Sequence, residues 1–297
     1  MQTEIPHMQI KPEDLRKIQL KSLEMLLYFK EICDKNGLLF YFCGGCCIGA
    51  LRNKGFIPWD DDVDVFMPRP DYEKLIQIWD GQADTSRYSL QITTRDKLTK
   101  NMFATICDNN TAFIKSYQAD LDINHGLMLD ILPLDGCPDK PRQRRAQLFW
   151  ALVYSLYIIG KPPENHGGLV KAAGRLLLCL VPFKNMRYRL WKLAQRKMSK
   201  YPISECRYVT ELCSGPRYMK LRYPAQWFAS ALYEQFEGYM LPLPAGYDEY
   251  LSIAFGDYMT PPPDGKRDTG HDLVFYDLEN SYKKYKGVYY CVENKKE

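Results

Sequence analysis

The chain has 297 residues, 46% of them apolar, and a formal net charge of +4, which suits a packed globular protein of one large domain or two modest ones and excludes a disordered or fibrous chain. Ten cysteines with no apolar leader in Met1–Ile10 argue against a secreted disulfide scaffold, so reduced thiols and a cytoplasmic location are expected. The charge is unevenly spread. Residues 1–138 hold 15 Lys/Arg against 20 Asp/Glu (−5), residues 139–200 hold 14 against 2 (+12), and residues 201–297 hold 11 against 14 (−3); a block that basic usually meets an anion.

In chain order, Pro12–Asn36 opens with proline, places Leu15, Ile18, Ser22, Met25, Phe29 and Cys33 at helical spacing and stops at Gly37, which predicts an amphipathic helix. Leu38–Cys43 is a short apolar, aromatic run and reads as a buried strand ending in the turn Gly44-Gly45. A short helix over Cys46–Asn53, closed by Gly55 as C-cap, follows. Phe56–Trp59 leads into a strand at Asp62–Phe66, and Pro70 starts another helix. Leu90–Thr93 is a weaker strand, and Phe103–Cys107 with Thr111–Ile114 reads as a hairpin turned by Asp108-Asn109-Asn110. Leu127–Leu132 is an apolar strand containing Asp130. From Pro141 to Tyr201 the pattern is helical, broken at Pro162-Pro163 and Pro182; the tail is mixed. The fold class is therefore α/β (α+β), with a mixed sheet, flanking helices and a helical, basic insertion. Its three parts are a core at 1–138, a basic helical subdomain at 139–205 and a C-terminal segment at 206–297 that packs back on the core and site.

The run Trp59-Asp60-Asp61-Asp62-Val63-Asp64 carries the chemistry. On a strand, Asp60, Asp62 and Asp64 share one face, about 7 Å apart, and a hard divalent cation relieves their repulsion. Taken alone, such a run also fits a solvated acidic loop; the flanking Val63, Val65 and Phe66 favour a half-buried strand. Gly44-Gly45 before a helix is a place where backbone N–H groups approach a phosphate, or an ordinary turn. Asp130, costly to bury inside an apolar strand, either accepts hydrogen bonds or joins a metal site. Arg52 and Lys54, just ahead of the acidic run, suit an anionic group or simply a soluble surface. Cys43, Cys46 and Cys47 resemble half a zinc site but have no second pair nearby, and read as core cysteines.

Gly44-Gly45, the continuous stretch Ile48–Asp64, Met67-Pro68-Arg69, Leu129–Asp135, Gly246–Leu251, Phe255–Met259, Arg267 and His271 together resemble the LicD family of phosphocholine transferases. That family is similar to the nucleotidyltransferase superfamily and related to the fukutin-type phosphopolyol transferases. The resemblance implies a nucleotidyltransferase-like core in which the diglycine turn approaches phosphates, Asp62 and Asp64 form the metal-binding Asp-x-Asp pair, and Asp130 completes the site as metal ligand or general base. Asp60 and Asp61 are second choices. Arg267 and His271 follow a proline turn that folds over the site and join the phosphate-binding set. Cys46-Cys47 departs from the small or aliphatic pair usual after the glycines.

The resemblance further implies a Mg2+ cofactor, with Mn2+ as the alternative, and a CDP-choline or similar CDP-alcohol donor. The acceptor is a sugar hydroxyl of a cell-surface glycan or teichoic acid precursor, free or lipid-diphosphate-linked, and CMP is released. Two other readings stay open: a nucleotidyltransferase moving NMP onto an acceptor, and a non-catalytic basic module for membrane or nucleic acid. With the acidic triad intact, nucleic acid is not the expected partner. Leu148–Ile159 is 12 residues, short of the roughly 20 needed to span a bilayer. Flanked by Arg142, Arg144, Arg145, Lys171, Arg175, Arg187 and Arg189, the basic helices suit either peripheral contact with the inner face of the membrane or a plain exposed face.

Overall fold

A computed structural model describes residues 8–162, 168–264, 267 and 272–292. The first helix, α1 (Pro12–Asn36), takes the predicted bounds and ends on Gly37 at φ 60°, the left-handed cap that a glycine adopts without strain. The next strand is shorter than expected, β1 (Tyr41–Phe42), and α2 (Gly44–Arg52) begins on the diglycine itself. Asn53, not Gly55, caps α2. Gly55 instead lies against the Glu237 side chain, where a Cβ would come within 2.4 Å of Oε1. The acidic run feeds β2 (Val63–Pro68), which passes directly into α3 (Arg69–Gln82) with Pro70 in its first turn.

Next come β3 (Tyr88–Gln91), β4 (Ala104–Asp108) and β5 (Ala112–Lys115), then β6 (Met128–Cys137), a ten-residue strand buried throughout. The main sheet runs β1-β2-β6-β4-β3. β2 and β6 are parallel and the other pairings antiparallel, which makes β6 the central strand and accounts for its unbroken burial. The expected hairpin of β4 and β5 does not form. Both edges of β4 are taken, by β6 and β3, so β5 leaves the sheet and pairs with β11 (Leu273–Asp277) from the C-terminal segment.

The basic block folds as α4 (Pro141–Ile159), α5 (Gly168–Leu180) and α6 (Lys184–Met198), with breaks where the prolines predicted them. It packs on a core of its own, built around Ala151, Tyr154, Ile158, Trp191, Ala194 and Met198. Two of its arginines are internal struts. Arg144 donates to the Met219 carbonyl and to Thr210 Oγ1 at 3.1 Å, and Arg187 holds the carbonyls of Leu178 and Val181 at 3.1 and 2.7 Å. After α6, β7 (Tyr208–Glu211) pairs with the far end of β6 and with β8 (Tyr223–Pro224), so the C-terminal segment extends the main sheet; the short helix α7 (Pro216–Met219) lies between them. A hairpin of β9 (Ala231–Phe236) and β10 (Tyr239–Pro244) and the helix α8 (Tyr247–Phe255) complete it. All ten cysteines are free thiols, and Cys43, Cys46 and Cys47 are buried in the main core. No helix among the described residues is long and apolar enough to cross a membrane.

Two of the motif blocks meet in the interior. Arg69, opening α3, grips Asp135 of β6 through Nε at 2.8 Å and Nη2 at 2.7 Å, with both side chains buried. Glu211 of β7 is buried too, and its Oε1 accepts from the amides of Cys213 and Ser214. Burial, only partly opposed by those amides, pushes its carboxyl from 4.5 up to about 7. The folded state therefore keeps this proton longer than the unfolded chain, so the group's contribution declines as pH rises from about 4.5 to about 7, by about 3 kcal/mol. Gln keeps the acceptor and removes the charge. Glu211→Gln is expected to raise Tm above pH 7.5 and to match the parent near pH 5, which thermal melts across that range check.

Candidate active site

Three strands bring one polar side chain each to the same level of the sheet. Asp64 of β2 is the parallel-register neighbour of Asp130 on β6, and Asp130 stands opposite Thr105 on β4. Adjacent strands lie about 4.8 Å apart and paired residues share a face, so the two carboxylates stand side by side. Thr105 Oγ1 donates to Asp130 Oδ1 at 2.7 Å, and Lys115 Nζ, at the end of β5, lies 3.9 Å from Oδ2. Asn101 extends the network, donating to Thr105 Oγ1 at 3.2 Å and accepting from the Tyr117 hydroxyl at 2.9 Å.

Just before β2, Asp60, Asp61 and Asp62 each place a carboxylate oxygen within 4.8 Å of the others'. The strand starts only at Val63, yet the expected alternation already holds: Asp60, Asp62 and Asp64 are partly exposed, while Asp61, Val63 and Val65 are buried. Neighbouring elements fix this acidic loop. Gln19 of α1 donates to the carbonyls of Asp60 at 2.9 Å and Ile57 at 3.3 Å, and the Cys46 thiol donates to the Asp62 carbonyl at 3.7 Å. Cys46, a departure from the family pattern, thus anchors the loop from below.

Electrostatics here are unfavourable by construction. Burial, then repulsion by Asp62 and Asp61, pushes the Asp60 carboxyl up to about 8. Burial, then Asp62 and Asp130, pushes Asp64 well above the usual carboxylate range, with Lys115 opposing. For Lys115 burial favours the neutral amine, but Asp130, together with Tyr117, Asp62 and Asp64, outweighs it and the shift is upward. Five carboxylates with one internal ammonium is a donor set of hard oxygens whose repulsion a small divalent cation relieves. The donors that converge and fit Mg2+ or Mn2+ are Asp60, Asp61 and Asp62; Asp64 and Asp130, expected in the metal set with Asp62, stand next to each other on the sheet.

The diglycine turn is more committed than its sequence suggests. Gly44, at φ +48°, donates its N–H to the Tyr250 hydroxyl of α8 at 3.1 Å. The Asp60 carboxylate packs against the Gly45 Cα, where a Cβ would lie 2.3 Å from Oδ2. What α2 offers a phosphate is its first turn from Gly45 onward. On the rim, Arg52 and Arg267 share the Trp59 indole, their Cζ atoms 5.8 and 5.0 Å from its centroid. Arg52 also donates to the Tyr258 carbonyl at 3.2 Å. Burial, then repulsion from Arg267, lowers the Arg52 pKa, as expected of two guanidinium groups that an anion between them would reconcile.

The structure does not bring Lys54 to this centre: its φ is +55° and its Nζ pairs with Glu234 of β9 at 3.3 Å. His271 lies outside the described residues. Sequence reasoning missed Lys115, Thr105, Trp59 and Tyr250 as members of the site. Lys115 had a readable signal, since a lysine closing the apolar run Ala112–Lys115 needs a buried partner by the same reasoning that singled out Asp130.

Residues 37–125 match the family described as LicD/FKTN/FKRP, nucleotidyltransferase domain. Over 275 residues, covering 89% of this chain and 98% of the relative, the sequence is 30% identical to the lipopolysaccharide cholinephosphotransferase LicD of Haemophilus influenzae. The chain belongs to the LicD family. An uncharacterized protein of Rickettsia prowazekii is 27% identical over 84 residues, 26% of this chain and 32% of that protein. In this LicD-family chain the motif blocks, scattered from Gly44 to Met259, converge in space. The diglycine, the acidic loop and β6 meet at the carboxylates, while α8 and the 255–259 turn supply Tyr250 and the Tyr258 carbonyl to their edge.

Proposed function

We propose that this chain, a phosphotransferase of the LicD family, transfers phosphocholine, or a related phospho-alcohol, from a CDP-activated donor such as CDP-choline to a sugar hydroxyl. The acceptor is a cell-surface glycan, lipopolysaccharide or teichoic acid precursor, carried on a lipid diphosphate at the inner face of the membrane. The observation that carries the reading is the likeness over 98% of the H. influenzae lipopolysaccharide cholinephosphotransferase. The geometry supports it: converging carboxylates on one side and a guanidinium pair on the other suit a metal-bound diphosphate.

The acceptor oxygen attacks the phosphorus that bears choline, the bond from that phosphorus to the bridging oxygen breaks, and CMP departs with the bridging oxygen. The hydroxyl's proton passes to a carboxylate of the cluster. When bound by the aspartates, Mg2+ or Mn2+ supplies neutralisation of charge on the phosphoryl oxygens. Asp62 and Asp64 would hold it. Asp130, with Thr105 on one oxygen and Lys115 facing the other, would serve as a third ligand, contacts that leave it less free to accept a proton. Arg52 and Arg267 grip the diphosphate and the departing CMP, and the first turn of α2 adds backbone N–H groups.

The test is to incubate the protein with Mg2+, a glycan precursor and, separately, CDP-choline, CDP-ribitol, CDP-glycerol and CTP, and to assay CMP and pyrophosphate. CMP from one of the CDP-alcohols is expected. Pyrophosphate from CTP alone would establish nucleotidyl transfer in its place, and no nucleotide from any of the four would remove both readings. Lys115 yields a further prediction. Lys115→Met removes the internal cation facing Asp130 and is expected to cost about 3 kcal/mol without divalent ion, roughly 6–10 °C in Tm. Because the carboxylates then depend more on an external cation, the rise in Tm on adding Mg2+ should be larger in the variant than in the parent. Thermal melts in EDTA and in Mg2+ measure both; an equal rise would remove Lys115 from the charge balance of the site.

A further inference from the structure

The helical block leaves an apolar surface uncovered. Among the residues of α5 whose burial is described, only Gly174 and Leu178 are buried, and Leu176, Leu177 and Leu180 stand in solvent, the first and last at 60% and 63% exposure. Phe183, in the turn to α6, is 68% exposed, and Met186 follows it. On α4, Phe149, Leu152 and Ile159 form an exposed stripe at helical spacing. These eight residues are large, apolar and clustered on three consecutive helices. The α5–α6 corner that carries most of them is nonetheless held firmly, by Arg187 on the Leu178 and Val181 carbonyls and by the Tyr157 hydroxyl on the Leu177 carbonyl at 2.8 Å. The exposure is therefore a feature of a braced corner, not of a fraying end.

Basic side chains share these helices. Arg142, Arg145, Arg175, Lys184 and Arg189 are exposed on the same three helices, and between Lys140 and Lys200 the sequence holds a single acidic residue, Glu164. A patch of this kind marks a docking site, and its charge selects the occupant. A second copy meeting it isologously would set one strongly basic face against another. Nucleic acid offers phosphates but gives Leu176, Leu180 and Phe183 nowhere to bury. An anionic bilayer surface satisfies both halves, taking the apolar side chains into the headgroup–acyl boundary while Lys and Arg meet the headgroups.

We infer that the α4–α5–α6 face is a membrane-docking surface, with Leu176, Leu180 and Phe183 inserting into an anionic leaflet and Arg175, Lys184 and Arg189 bound to its headgroups. The inference goes beyond the proposed phosphocholine transfer and stands without it, since it is read by binding and needs no donor.

The experiment is co-sedimentation of the full chain with vesicles of phosphatidylcholine, alone or with about 30% phosphatidylglycerol, together with light scattering of the protein without lipid. The parent is expected to sediment with the anionic vesicles at least about tenfold more strongly than with neutral ones, and the difference should shrink as salt rises. Leu176→Glu/Leu180→Glu/Phe183→Glu, altered only at exposed positions and verified by its melting curve, is expected to lose that binding about tenfold or more. Arg175→Glu/Lys184→Glu should lose the preference for anionic lipid. No sedimentation of the parent with anionic vesicles, or equal sedimentation of the parent and the triple variant, would overturn the inference. A parent dimer that the triple variant converts to monomer would overturn it too, by assigning the face to a second copy.

Discussion

Asp64→Asn is expected to reduce phosphocholine transfer by at least about a thousandfold and, without divalent ion, to make the protein more stable. Both effects come from the same register. Asp64 is paired across the parallel β2–β6 ladder with Asp130 and follows Asp62 by one full strand repeat, so its carboxylate faces like charge along the strand and across it. Burial, then Asp62 and Asp130, raises its pKa well above the ordinary 3.8. A carboxyl whose folded pKa is raised binds its proton longer in the folded state, so stability is lost as pH rises from the unfolded value towards the folded one. Asn keeps the shape and drops the charge. In EDTA at pH 7–8 the variant should melt above the parent, and the gap should close as pH approaches 3.8. In Mg2+ the order should narrow or reverse, because the parent gains ligand-linked stability that the variant lacks. Retention of more than about a tenth of the activity would place the reacting centre elsewhere.

That pairing of lost activity with gained stability explains why the acidic run was ambiguous as sequence. Four aspartates in five residues are equally at home in a solvated loop, and alternation alone could say only which of them share a face. The alternation was right: Asp60, Asp62 and Asp64 are partly exposed while Asp61 is buried with Val63 and Val65. A strand around Asp130 was legible as well, because the run is apolar and the aspartate in it has no cheap reason to be there. α1 was readable from 3.6-residue spacing and the basic helices from composition and proline breaks, signals that lie wholly within the segment.

What could not be read depends on edges and on long-range partners. β4 and β5, separated by a turn-like Asp-Asn-Asn, look like a hairpin, but pairing is decided by which edges are free, and both edges of β4 are occupied. β5 therefore waits for β11, more than 150 residues later. That displacement is what carries Lys115 to Asp130, so the missed pairing and the missed site residue have one cause. Likewise Arg144 and Arg187 counted as surface charge in the composition, but hydrogen bonds to carbonyls far along the chain or across a helix turn make them struts. The diglycine turn shows the same limit: the Gly44 amide is bound by Tyr250, more than 200 residues away.

The largest effect on stability is expected from Arg69→Met. Asp135 has no exposed side-chain surface, and Arg69 meets it with a two-point grip at 2.8 and 2.7 Å while stacking on Tyr72 at 5.2 Å from the ring centroid. Removing one partner strands the other charge in the interior, which costs about 3–5 kcal/mol out of a typical total of 5–15 kcal/mol. Urea denaturation at pH 7 should show a midpoint lower by that amount divided by m, with m unchanged. The pair itself contributes far less than its rupture costs, because forming it desolvates two ions. Arg69→Met/Asp135→Leu, apolar and of similar volume, should therefore recover most of the loss, whereas Arg69→Lys, which cannot make the two-point contact, should not. The effect on catalysis should be small by comparison. Asp135 stands five residues beyond Asp130 on β6, about 16 Å along an extended strand, so each folded Arg69→Met molecule should turn over at close to the parent rate at low temperature. A double variant as unstable as Arg69→Met would mean that the arginine holds α3 to the sheet by something other than its charge.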